Sequence, residues 1–99
     1  NTPTSDRLDL REFREHTRRF TILDIRDASE VDSEGKVFEQ ALHIPLHELR
    51  ERIGDVPTEK PIVVHCSGGY RSAIGSSMLE SRTGDASVYD LGEAVEQFT

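Results

Sequence analysis

Apolar positions alternate between two periods along this chain. Leu10, Phe13 and Thr17 share one face at helical spacing, which predicts a short helix over 10–17. Asp9 and, three residues on, Glu12 can satisfy orphan backbone N–H groups at its start. Thr21-Ile22-Leu23-Asp24-Ile25 is rich in branched residues and ends in charge, which predicts a strand buried on both faces. Asp27 to Gln40 is polar and aperiodic, so a loop with no more than a turn of helix is expected there. Leu46, Leu49 and Ile53 resume a helical face, with Gly54 as a left-handed stop. Pro61 to Cys66 is the strongest strand pattern. It runs into Ser67-Gly68-Gly69-Tyr70-Arg71, then a helix from Ser72 to Arg82 stopped by Gly84. Ala86 to Leu91 predicts a third strand, and 93–98 a last helical turn or two.

Strands alternating with helices through short loops predict an α/β fold, a small open parallel sheet with helices on both faces. With 99 residues the chain is expected to be one domain over 1–99, with 1–7 as a lead-in or linker. The formal net charge of −7 argues against nucleic-acid or membrane-surface partners, which favour clustered basic residues. No apolar run approaches the ~20 residues of a membrane span, and no signal peptide opens the chain. The first residue is Asn1 rather than Met, so an excised domain or a trimmed chain is expected. A single cysteine cannot close an internal disulfide, which fits a cytoplasmic location, and any thiol chemistry must proceed without a resolving partner in this chain.

That cysteine is the main candidate for chemistry. Open parallel sheets place their sites at the carboxyl ends of strands, where loops lead into helices. Cys66 stands at such an end. Gly68 and Gly69 permit a tight turn in which successive N–H groups face one point. The following helix adds its partial positive charge, and Arg71 adds a permanent cation. Residues Ser67, Gly68, Gly69, Tyr70 and Ser72 therefore read as an anion-binding loop around Cys66, favouring thiolate or persulfide anion. The competing reading, a buried and inert thiol, suits a cysteine inside an element better than one at a strand end.

These residues resemble the rhodanese family. Its active loop usually reads Cys-Arg-Ser-Gly-x-Arg-Ser, which Cys66, Gly69, Arg71 and Ser72 match position by position. Leu23-Asp24-Ile25-Arg26 is similar to the family's Leu-Asp-Val-Arg strand end, Glu30 falls at its acidic position, and Ala41 to Leu46 resembles its Ile-Pro segment. The resemblance spans about residues 10–98 and implies a three-layer rhodanese-like fold. It also implies a sulfurtransferase in which Cys66 carries a persulfide and Arg71 assists, with no cofactor and no metal. Its partners would be a small sulfur donor, such as thiosulfate or a low-molecular-weight persulfide, and a thiophilic acceptor. Ser67 replaces an arginine common in thiosulfate-using members, which puts thiosulfate as preferred donor in question. Gly35 to Ala41 looks lengthened, and Glu93, Ala94 and Phe98 replace a common Gly-Gly and Trp. The Cys-x-Gly-Gly-Tyr-Arg-Ser form is also similar to rhodanese domains fused behind metallo-β-lactamase-fold persulfide dioxygenases, which implies a fused or docked enzyme domain.

Two other functions compete: a sulfur-relay or binding module of a larger protein, and a cysteine phosphatase or arsenate reductase of related fold. Cysteine phosphatases, by the same resemblance, carry one residue more between nucleophile and arginine than Ser67, Gly68, Gly69 and Tyr70. The shorter loop loses up to ~3.5 Å of chain, which suits one sulfur atom better than a phosphoryl group.

Asp24, Arg26, Asp27 and Glu30 could supply an acid–base carboxylate pair, but a structural charge network bracing the loop is the expected role. His43 and His47 have metal-ligand spacing, yet Pro45 between them disfavours a regular helix through both. Strand alternation points His65 away from Cys66, so a satisfied core histidine is expected. His16 reads as solvated, and Tyr70 as lining the mouth of the pocket.

Overall fold

The computed structural model describes residues 8–67, 70–82 and 87–98. Helix α1 (Leu10–Glu15) starts where Asp9 Oδ1 accepts from the N–H groups of Arg11 and Glu12, at 3.0 and 3.2 Å. It ends at His16, and a 3₁₀ turn over Thr17–Arg19 occupies the remainder of the expected helix. Strand β1 (Thr21–Asp24) follows.

The polar stretch beyond β1 is not the expected loop. It forms α2 (Ala28–Glu34), two turns with no buried residue, which is why apolar periodicity could not reveal it. Glu30 Oε1 accepts from the Asp27 N–H at 2.9 Å, so the order Asp27-x-x-Glu30 marks a helix start. Gly35 ends α2 with φ of 81°, and its N–H reaches the Val31 carbonyl at 2.8 Å.

A two-residue strand β2 (Leu42–His43) was not expected from the sequence, being too short to carry a period. Helix α3 (Leu46–Arg52) then passes into a 3₁₀ turn over Ile53–Asp55. Gly54 is therefore not a left-handed stop: among the described residues only Gly35 and Gly92 have positive φ. Strand β3 (Ile62–His65) leads to α4 (Tyr70–Arg82), which starts two residues earlier than expected. The expected stop at Gly84 lies outside the described residues. Strand β4 (Val88–Asp90) and a closing 3₁₀ helix (Gly92–Phe98) complete the chain.

The four strands form one parallel sheet in the order β2-β1-β3-β4. Asp24 pairs with His43 on one side and His65 on the other, and Val64 with Asp90, so polar residues gather at the carboxyl edge. One face of the sheet (Leu23, Ile25, Ile62, Val64, Val88) packs on Leu49 and Leu79 of α3 and α4. The other (Ile22, Val63) packs on Phe13, Phe20, Phe38, Leu91 and Val95. Gly75 lets α4 sit close on the sheet, since a Cβ there would lie 2.9 Å from Ile25 Cδ1. Among the described residues, no helix is long and apolar enough to cross a membrane.

Candidate active site

Strand β3 is buried along its whole length and ends by delivering Cys66, 1 % exposed, to the carboxyl edge of the sheet. Alternation places the thiol with Ile62 and Val64 on the α3/α4 face. The Ser72 N–H in the first turn of α4 points at Cys66 Sγ, 3.2 Å away. The sulfur thus accepts a hydrogen bond from a helix N-terminal amide, an interaction that strengthens as negative charge develops on it. Ser72 is itself fully buried, and its hydroxyl donates to Asp90 Oδ1 at 2.5 Å. The same oxygen accepts from the Gly92 N–H at 2.9 Å, tying the end of β4 to the start of α4.

Arg71 extends away from this turn to Glu30 on α2. The pair is bidentate, Nη1 to Oε1 at 2.6 Å and Nη2 to Oε2 at 2.9 Å, with each side chain about a quarter exposed. The Arg71 hydrogen bonds, partly opposed by desolvation, hold the Glu30 carboxyl at about 2 against an ordinary 4.5. The same bonds raise the Arg71 guanidinium above its usual value. Glu30 therefore clasps the first turn of α4 to α2.

A second pair lies deeper. Arg26 grips Asp24 through Nε at 3.0 and 3.2 Å and Nη2 at 2.8 Å, while its own N–H donates to Oδ1 at 3.0 Å. Both residues are nearly fully buried. Burial alone would push the Asp24 carboxyl up, but the Arg26 side-chain and backbone bonds outweigh it and hold it below the usual carboxylate range. The bond to Asp24, against desolvation, raises Arg26. Arg26 Nη2 also donates to the Gly35 carbonyl at 2.9 Å, and Nη1 lies 3.5 Å from Glu34. His43 Nε2 lies 2.7 Å from the Arg26 carbonyl, a contact that assigns it the proton. These two pairs are separate, and neither makes an acid–base carboxylate couple.

A pocket of about 250 Å³ reaches Cys66. Among the described residues it is lined by Arg26, Glu34, Val37, Cys66, Ser67, Val95 and Glu96. Ser67 is at its wall and exposed. Gly68 and Gly69 lie outside the described residues. Tyr70 is 80 % exposed and begins α4, and it is not among the described lining residues of this pocket. Arg71 and Ser72 likewise belong to the helix rather than to the loop.

His65 is also corrected. It is fully buried as expected, but among the described residues neither ring nitrogen makes a hydrogen bond. Nε2 lies 3.9 Å from Asp24 Oδ2, and the ring meets Phe38 edge-on at 5.2 Å. Burial lowers its pKa, so the ring is neutral. His47 is exposed and far from sharing a ligand set with His43: among the described residues no group of three His, Cys, Asp or Glu could hold a metal.

Sequence reasoning missed Asp90, Glu34 and Glu96. Asp90 had a usable signal, its place at the carboxyl end of a parallel strand. Glu34 and Glu96 had none, because they stand on an unanticipated helix and on a terminal 3₁₀ segment.

A parallel sheet that delivers one cysteine from a central strand to the first turn of a helix defines an α/β cysteine-loop domain. The chain belongs to the rhodanese-like domain family, whose model matches residues 7–99. It is 31% identical over 80 residues to the protein YqhL of Bacillus subtilis (strain 168), covering 81% of this chain and 61% of that one. It is 36% identical over 63 residues to a tRNA sulfurtransferase of Aeromonas salmonicida (strain A449), covering 62% of this chain and 13% of that one. The chain thus spans less than two thirds of either relative. A rhodanese-related protein of Thermoplasma volcanium has a TM-score of 0.69 at 26% identity, over 85% of this chain and 80% of that one. A NAD-dependent persulfide reductase from A. fulgidus has a TM-score of 0.60 at 35% identity, over 77% of this chain and 14% of that one. The human single-domain sulfurtransferase TSTD1, with a TM-score of 0.69 at 21% identity over 93% and 96%, shares the fold.

Proposed function

We propose that this domain is a sulfurtransferase in which Cys66 alternates between thiolate and persulfide. The observation that carries the reading is Cys66 Sγ at the end of β3, shielded from solvent and receiving the Ser72 N–H at 3.2 Å. In the first half-reaction the thiolate attacks the sulfane sulfur of a donor. The new Sγ–S bond forms as the donor's S–S bond breaks, and sulfite or a thiolate leaves with the electron pair. In the second, a nucleophile such as cyanide, sulfite or a thiol attacks the outer sulfur, and Cys66 leaves as thiolate. No external oxidant is needed.

Each surrounding group has a part in this. The Ser72 amide supports charge on Sγ when it leaves. Asp90 and Glu30 hold the turn that carries that amide, through Ser72 and Arg71. The pocket of about 250 Å³ has room for the outer sulfur and part of a donor. A thiol that must remain reduced suits a reducing compartment such as the cytoplasm, and a fused or docked enzyme domain could supply donor or acceptor.

Intact mass spectrometry tests the reading. After incubation with thiosulfate or glutathione persulfide, the domain should gain one sulfur that cyanide removes, and Cys66→Ser should gain none. A Ser variant that still transfers sulfur ends this proposal.

A further inference from the structure

His65 takes no part in the sulfur chemistry, yet it stands fully buried one residue before Cys66. Among the described residues neither of its ring nitrogens is hydrogen-bonded. Asp24, its cross-strand partner on β1, brings Oδ2 to 3.9 Å from Nε2. Arg26 grips that same carboxylate, and Glu34 reaches the group only through Arg26 Nη1, at 3.5 Å. The Phe38 ring meets His65 edge-on, and the Cys66 backbone lies near it without hydrogen-bond geometry. Asp90, paired with Val64, is turned to Ser72 on the opposite face of the sheet.

Asp24 Oδ2 is already taken. It accepts from Arg26 Nη2 at 2.8 Å and Nε at 3.2 Å, which uses both lone pairs of that oxygen. A neutral ring leaves this arrangement alone. A charged ring, with two donors and a full charge in a closed interior, needs a partner, and Asp24 is the anion in reach. Taking Oδ2 displaces Arg26. The guanidinium keeps two partners away from β1, the Gly35 carbonyl at 2.9 Å and Glu34. Arg26 and Glu34 both line the pocket that reaches Cys66.

Resting on the sulfurtransferase reading, we propose that His65 is a proton-operated latch on the Cys66 pocket. With the ring neutral, Asp24 holds Arg26 back against the end of β1. Protonation hands Oδ2 to His65, and Arg26 swings towards Gly35 and Glu34, across the pocket. Burial holds the ring below its ordinary 6.5, and the Asp24 charge opposes this only in part. The open state therefore prevails at pH 7 and the latch closes in acid. Asp24, kept below the usual carboxylate range by Arg26, stays charged meanwhile.

Nitrogen NMR on the native domain tests the latch without any sulfur donor. Between pH 7.5 and 4.5, the His65 ring and the Arg26 Nε–H should titrate with one shared midpoint below 6.5. In His65→Phe the Arg26 signal should stay flat. The native titration decides the matter even if the variant misfolds. A ring that stays neutral throughout, an Arg26 signal indifferent to it, or the same Arg26 change in the variant overturns the inference. In the activity arm, sulfur loading from glutathione persulfide is compared between the two proteins, which cancels the ionisation of the donor. The ratio of native to variant rate should fall reversibly through the NMR midpoint, by about tenfold one pH unit below it. A ratio that ignores pH overturns the latch as well. A coupled titration with no sulfur loaded on the native protein from any donor overturns the parent reading instead, and the latch's part in it.

Discussion

Replacing Glu30 by Gln should weaken the domain in a way that disappears in acid. Gln keeps an acceptor for one Arg71 nitrogen and the acceptor for the Asp27 N–H, but loses the charge that the guanidinium fork grips. With the folded carboxyl at about 2 and its ordinary value at 4.5, the pair has a ceiling of about 3 kcal/mol. Water screens a pair whose side chains are 26 % and 25 % exposed, so a loss of about 1–2 kcal/mol is expected at pH 7. For a chain of 99 residues this lowers Tm by about 5–10 °C. The folded-state pKa is depressed, so the stabilisation is fully present above pH 4.5 and is lost as pH falls through about 2. Urea unfolding of both proteins at pH 7, 5, 4 and 3 should give a gap that is constant at the first two values. It should close to less than half by pH 3. Other carboxylates titrate in the same range but in both proteins, so the difference isolates Glu30. A gap that is unchanged down to pH 3, or a Gln variant as stable as the native protein at pH 7, would refute the clasp between α2 and α4.

Two further outcomes follow from the packing and from the pocket wall. Gly75→Val forces a branched side chain against Ile25, Leu49 and Val64, and should cost about 1–3 kcal/mol in thermal or urea unfolding; an unchanged Tm would show that α4 has slack. Ser67→Arg places an uncommitted cation at the pocket, and should raise kcat/KM for thiosulfate relative to glutathione persulfide in a cyanide-coupled assay; an unchanged ratio would remove Ser67 as a determinant of donor choice.

The elements legible in the sequence are those whose buried faces carry apolar residues. β1 and β3 read clearly because nearly every position is buried and apolar. Helix α2 was hidden for the opposite reason: it buries nothing, and its start rests on a polar contact between Asp27 and Glu30. Strand β2 was hidden by brevity, since two residues cannot show a period of two. Gly54 misled because glycine at a helix end is a signal of left-handed backbone, yet here α3 tightens into a 3₁₀ turn instead. His65 misled because a period predicts which side a ring faces, and faces it did; hydrogen-bond satisfaction depends on Asp24, whose carboxylate Arg26 already occupies.

The candidate site divides along the same line. Cys66 and Ser72 are six residues apart in one loop-and-turn unit, so their relation is written locally. Asp90, Glu34 and Glu96 reach the site only because the sheet order and the two flanking segments bring them there. The larger gap concerns charge. Composition counts arginines, and the pattern places Arg26 and Arg71 near the cysteine, which suggests a basic, anion-seeking site. The folded chain spends both on internal carboxylates, Asp24 and Glu30, in bidentate pairs. A guanidinium gripped on both forks steadies the architecture around the cysteine. The pairing of Arg71 with Glu30 joins elements distant in sequence, and a motif centred on Cys66 does not contain it.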